Sequence, residues 1–251
     1  MKCSILWTAA QAAALMSVLL GSARAQNDNN PPSGFKALFN GRDLTSWTGA
    51  TTRDPRQIIA LPPAERASHD ATMKKAVAQH WRIEEDVLIS DGYEPYLATT
   101  SDYGDFELWV DWQLGPGGDS GIYLRGNPQV QIWDPTNKAK FDRGADKGSG
   151  GLWNNERHER FPTKLADATI GQWNRMFIRM VGPYVTVILN GHTVVRNVVM
   201  ENYYDRDRPV FERGAIYLQT HGSETRFRNI FVRELTPPES QRLLGEIDAV
   251  G

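Results

Sequence analysis

The chain has 251 residues, a formal net charge of −2 and 23% charged residues. That length fits one large domain able to bury its own core, because all-β domains of roughly 200–250 residues are routine. The near balance of charge gives nucleic acid and anionic membranes no electrostatic handle, so neither is expected as a partner.

The amino terminus reads as a leader over residues 1–25. Lys2 supplies a positive start, "AAQAAALMSVLLG" an apolar run, and Ala23-Arg24-Ala25 the small-x-small form of a cleavage site. The run is shorter than the about 20 residues of a membrane span. The mature protein is therefore expected to be exported, periplasmic or extracellular, and free of the membrane; an uncleaved amino-terminal anchor is the alternative. Cys3, the single cysteine, lies inside the leader, so the mature chain relies on its core rather than on a disulfide.

Residues 26–34, "QNDNNPPSG", read as a disordered polar linker ahead of a domain spanning residues 35–236. "FKALFNGRDLTSWTG" predicts two short strands about an Asn40-Gly41 turn, the second ending at Trp47. Residues 54–80 break the strand pattern. Pro63 can open a helix, and Met73, Ala76, Val77 and His80 follow helical spacing. This helical insertion is either a surface excursion or a lid over a cleft.

Short alternating segments then follow in series, among them "WRIEEDVLISDG", "DFELWVDWQLG", "SGIYLRG", "QVQIWD", "WNRMFIRMVG", "GAIYLQTHG" and "TRFRNIFVREL". Their spacing predicts an all-β fold, a two-sheet antiparallel β-sandwich with one short helical insertion. Asn190-Gly191 supplies the positive φ angles of a tight hairpin turn. Residues 237–251 form a tail, helical or disordered.

The phase of the central strands carries the functional signal. Ile122, Leu124, Val130 and Ile132 share one face, leaving Tyr123, Arg125, Gln129, Gln131 and Trp133 on the other. In "DFELWVDWQLG" the off-core residues are Glu107, Trp109, Asp111 and Gln113, and in "AIYLQTHG" they are Tyr217, Gln219 and His221. Solvated strand faces favour Thr, Lys, Glu and Ser. Aromatic rings cover the apolar side of a pyranose, while amides and charges satisfy its hydroxyls. A sugar-binding cleft is the reading these faces support.

Ordinary glycoside hydrolysis is not supported. It needs two carboxyls roughly 5–9.5 Å apart, whereas Glu107 and Asp111 lie about 13–14 Å apart along one strand. The five histidines show no metal-ligand spacing. His221 alone extends a polar strand face, followed by Gly222, and can serve as acid, base or ligand.

Taken in order, "FKALFNGRDLTSWTG", "WRIEEDVLISDG", "YGDFELWVDWQLGPGGDSGIYLRG", "QVQIWD", "GQWNRMFIRMVGPYVTVILNG" and "AIYLQTHGSETRFRNIFVREL" resemble the 3-keto-disaccharide hydrolase family. The resemblance spans about Gly34 to Leu235 and implies a concanavalin A-like β-sandwich, or jelly roll. It also implies cleavage of a glycoside already oxidised to a ketone at C3. Such a carbonyl acidifies the C2 proton, so one base and one carbonyl-polarising group suffice for elimination, with water added afterwards.

On this footing His221 or Asp111 is expected as the base, Arg125 as the group polarising the keto oxygen, and Trp133 or Tyr123 as the stacking ring. Asp119, in Asp119-Ser120-Gly121, matches the family's polar strand segment. Glu107, Gln129, Gln131, Asp134 and Gln219 are expected to bind hydroxyls or tune the base, with Trp153 closing the cleft from a loop. A divalent metal is compatible with the resemblance, with Asp111, Glu107 and His221 as candidate ligands. Family members often carry Glu where this chain has Gln129 and Asp where it has Thr220, which bears on whether the chain is active. Two alternatives stay open: a non-catalytic carbohydrate-binding module, and an interaction domain with a protein partner.

Overall fold

A computed structural model describes residues 29–249. The leader with Cys3 lies outside these residues. In chain order the strands are β1 (Lys36–Ala37), β2 (Trp47–Ala50), β3 (Trp81–Glu84), β4 (Val87–Ser90), β5 (Tyr96–Thr99), β6 (Phe106–Leu114), β7 (Asp119–Leu124), β8 (Asn127–Trp133), β9 (Asn174–Val181), β10 (Tyr184–Leu189), β11 (His192–Val199), β12 (Tyr217–Leu218) and β13 (Thr225–Glu234). The α-helices are α1 (Pro55–Ile59), α2 (Pro63–His80) and α3 (Pro237–Asp248).

The strands form the two-sheet antiparallel β-sandwich predicted from their spacing. One sheet runs β11-β10-β9-β6-β13-β4-β3, with β1 added on β13; the other runs β2-β5-β12-β7-β8. Alternation decides what lies between them. Phe106, Leu108, Val110, Trp112 and Leu114 of β6 meet Ile122, Leu124, Val130 and Ile132 of the β7–β8 hairpin in one buried cluster. Each such side chain contributes about 1.5–3 kcal/mol through burial.

A second, smaller cluster of Tyr96, Ala98, Tyr123 and Tyr217 sits on the outer face of the five-stranded sheet. That sheet is therefore covered on both sides, and its outer face is where the cleft forms.

Turn chemistry fixes the two central hairpins. Asn190 and Gly191 have φ of 49° and 81°, which closes β10 onto β11 as expected. Arg125 and Gly126, with φ of 55° and 74°, close β7 onto β8 in the same way.

Three local expectations are corrected. The Asn40-Gly41 turn does not join a hairpin, because β1 pairs with β13 and β2 pairs with β5 in the opposite sheet. The second of these strands begins at Trp47 rather than ending there. Residues 29–34 are not a free linker at their near end. Asn29 is buried, donates to the Asp86 carbonyl at 2.9 Å and accepts from the Asn229 amide at 2.8 Å.

Within residues 54–80, Asp54 caps α1 and Pro63 opens α2. Helix α2 packs on β2, where the Cα of Gly49 faces Met73, and it buries Val77. The tail carries α3, closed at its start by a reciprocal Thr236–Glu239 capping box. No helix among the described residues is long and apolar enough to cross a membrane.

Candidate functional site

The cleft is built from three rows of side chains that cross the outer face of the five-stranded sheet. Register sets the rows. Asp119 of β7 is opposite Trp133 of β8, Gly121 is opposite Gln131, and Tyr123 is opposite Tyr217 of β12. The Gln219 amide donates to the Gly121 carbonyl at 2.9 Å and so continues the middle row. Successive rows lie roughly 7 Å apart, two residues along each strand. The first row carries Asp119, Trp133 and His221; the second carries Tyr96, Gln219, Gly121 and Gln131; the third is aromatic.

Loops wall the rows. Thr52 precedes α1, Arg143 and Trp153 come from the long β8–β9 connection, and Tyr203 comes from the segment after β11. Together they enclose a cleft of about 240 Å³. Trp153 meets Trp133 edge to face with ring centroids 6.4 Å apart, and the Arg160 guanidinium lies 4.4 Å over its ring.

Gly121 makes the floor. An ideal Cβ there would stand 3.0 Å from both Gln129 Cδ and Gln219 Oε1. Without that side chain, the amides of Gln129 and Gln219 come together over the strand.

Asp119 is the electrostatic hub. Its side chain is mostly buried; Oδ1 accepts from Gln131 Nε2 at 2.7 Å and Oδ2 accepts from Lys140 Nζ at 2.7 Å. The exposed imidazole of His221 brings Nε2 to 3.7 Å from the same Oδ2. Gln129 donates to Gln131 in turn, which locks the amide chain in place. Burial raises the phenols of Tyr96 and Tyr123 above their ordinary value, so both stay protonated donors at neutral pH.

Residues 34–233 match the family of the 3-keto-alpha-glucoside-1,2-lyase-like domain. The chain belongs to this family. Two solved structures from Parabacteroides distasonis ATCC 8503, both provisionally assigned as glycosyl hydrolases, share the fold. One has a TM-score of 0.60 at 19% identity, covering 83% of this chain and 100% of its own. The other has a TM-score of 0.55 at 22% identity, covering 80% and 99%. No curated protein sequence matches the chain. Membership in the lyase-like family makes this a carbohydrate-related, glycosidase-like protein.

Within this family member, the cleft gathers Asp119, Tyr123, Gln129, Gln131, Trp133, Trp153, Gln219 and His221 of the residues singled out in the sequence. Four others lie elsewhere. Asp111 and Glu107 sit on the eight-stranded sheet, on the opposite side of the sandwich. Asp111 accepts from Arg175 Nε at 2.8 Å and from Asn229 Nδ2 at 2.8 Å, and Glu107 accepts from Arg233 Nη2 at 2.9 Å. These are cross-strand ion pairs that hold that sheet together.

Arg125 is a turn residue, 2% exposed, rather than a member of the polar face. Its guanidinium pairs with Asp105 at 2.6 Å and donates to the carbonyls of Gly104, Gly182 and Phe211. Asp134 closes the loop before β7, accepting from the amides of Gly117 and Thr136 at 2.8 Å each. Thr220 is buried, and its hydroxyl has no partner among the described residues.

Lys140, Arg143, Asn154 and Tyr203 were not anticipated. Lys140 and Arg143 lie in a short 3-10 helix, Lys138–Arg143, and Asn154 and Tyr203 on loops, so no strand alternation marks their facing direction.

The donor set does not suit a resident divalent metal. Among the described residues no three His, Cys, Asp or Glu side chains converge. The one cleft carboxylate already bears an ammonium on Oδ2, where a cation would have to bind. The proposed ligands Asp111 and Glu107 are held by arginines on the other sheet.

Proposed function

We propose that the chain is an enzyme that cleaves glycosides whose sugar carries a ketone at C3, by elimination across C1–C2 followed by hydration. The convergence of His221 and Asp119 at one end of an aromatic, amide-floored cleft, with Lys140 paired to Asp119 beside it, carries this reading. The chemistry needs a base for the C2 proton and a cation for the oxygen on which charge develops, and these three groups supply both.

His221 takes the C2 proton, and Asp119 supports the imidazolium that forms. The electron pair moves onto the C3 oxygen, where the Lys140 ammonium donates. It returns to form the C1–C2 double bond as the C1–O bond breaks, and the aglycone oxygen takes a proton from water. Water then adds at C1, and C2 is reprotonated, giving the free 3-keto sugar. Trp133 and Trp153 flank the ring, and no step requires two paired carboxylates. The leader read in the sequence would place this reaction outside the cytoplasm.

The test uses purified protein with a 3-keto-glucoside bearing a chromogenic aglycone, beside its unoxidised counterpart. Release from the keto substrate alone is expected. Release from neither, with sugar binding retained, would replace the enzyme with a binding module.

A further inference from the structure

Two residues of the cleft each carry a buried acceptor without a donor. Among the described residues, Gln219 Oε1 and Asn154 Oδ1 accept no hydrogen bond. Both residues line the cleft, and Gln219 is 6% exposed. The Gln219 oxygen lies over Gly121, 3.0 Å from where a side chain there would begin, at the floor of the cleft. The other end of the amide is tied back at 3.5 Å to Tyr96 Oη, which orients the carbonyl.

A buried acceptor without a donor carries a desolvation penalty, and a bound hydroxyl removes it. The neighbouring cleft groups do not remove it. Lys140 and Gln131 both donate to Asp119, and Gln131 also donates to backbone.

We infer that Gln219 and Asn154 are the specificity determinants of this cleft, each accepting a hydrogen bond from a free hydroxyl of the sugar ring. The ligand is then a sugar that presents two hydroxyl donors to the floor and wall, and a ring deoxygenated or capped at those positions is rejected. Both residues act in binding rather than in proton transfer. The inference rests on the reading of the cleft as a sugar site. It does not require that the site cleave.

Calorimetry of the full mature chain with methyl α-glucoside and its 4-deoxy and 6-deoxy forms tests it without turnover; KM values for the matching 3-keto series follow. At least one deoxy form should bind about 10- to 100-fold more weakly. Gln219→Met and Asn154→Leu should each weaken the parent sugar by a similar factor and erase discrimination at one position, while kcat changes less than KM. Gln219→Glu, which keeps an acceptor, should retain the discrimination that Gln219→Met loses.

Equal binding of parent and deoxy sugars by the unaltered protein would overturn the inference, whatever the variants do. So would folded Gln219→Met and Asn154→Leu proteins that keep the original pattern. Cleavage of keto substrates with indifferent hydroxyl preference would sink this inference alone. Discrimination among unoxidised sugars without keto cleavage would sink the catalytic reading alone.

Discussion

Replacing Gly121 by alanine isolates the cleft floor from the stability of the sandwich. The backbone φ at Gly121 is not positive, so alanine fits the strand conformation. The added Cβ would meet Gln129 Cδ and Gln219 Oε1 at 3.0 Å and Gln129 Nε2 at 3.2 Å. These are the ends of flexible side chains and need move only a few tenths of an ångström. Overpacking costs about 1 kcal/mol at such a site, and exchanging glycine for alanine within a strand returns roughly 0.5–1 kcal/mol. The thermal midpoint should therefore move by only a few degrees.

Binding should not be spared. A methyl group on the floor displaces both amides that the sugar is proposed to meet, and misplacement approaching 1 Å costs up to about 100-fold in rate. Thermal melts together with kcat/KM on the chromogenic keto-glucoside read the two effects separately. A stable Gly121→Ala protein with unaltered kcat/KM would refute the placement of the sugar over Gly121.

Arg125→Met should destabilise the fold by roughly 3 kcal/mol in urea melts, because it leaves Asp105 and three carbonyls without their buried cation; a loss of activity without a loss of stability would contradict its structural placement. Glu201 should make the fold acid-sensitive. Its buried carboxylate accepts from three consecutive backbone amides and from Arg206, and although burial alone would raise its pKa, those bonds hold it down at about 2. A depressed folded-state pKa stabilises above the unfolded value near 4.5 and is lost as pH falls toward 2, a swing of roughly 3 kcal/mol that Glu201→Gln should abolish in urea melts at pH 5 and pH 2.5. Chelator should leave cleavage of the keto substrate unchanged, since Lys140 holds the position a metal would take on Asp119; loss with chelator and recovery with a divalent ion would show that the cation set is wrong. Lys140→Met should lower kcat far more than it raises KM, since its charge is needed when the enolate oxygen forms; equal effects on both would assign it to ground-state binding.

Period-two alternation located the core and the polar faces of β6, β7 and β8, because side-chain direction along a strand is fixed by local geometry. It did not say to which sheet a strand belongs. Asp111 and Asp119 both lie on off-core faces, yet one joins arginines across β9 and β13 while the other joins Lys140 and His221. Sheet membership is a property of long-range pairing, and the same residue types make both cross-strand ion pairs and a sugar site.

Arg125 leaves the polar face for a different reason. The alternation runs through it unbroken, but Gly126 behind it turns the chain, and both residues take positive φ. Lys140, in a short 3-10 helix, and Asn154, on a loop, lie outside every strand, so no alternation says which way either points. The Asn40-Gly41 turn shows the converse. Gly41 does take a φ of 79°, but the strands on either side leave for opposite sheets.

Deuterium at C2 of the keto substrate probes the central claim most directly. The account predicts slower aglycone release than from the protiated sugar, with deuterium exchanged into solvent, and neither release nor exchange with His221→Ala. Release at equal rates from both sugars, with deuterium retained at C2, would contradict proton abstraction there and with it the proposed reaction.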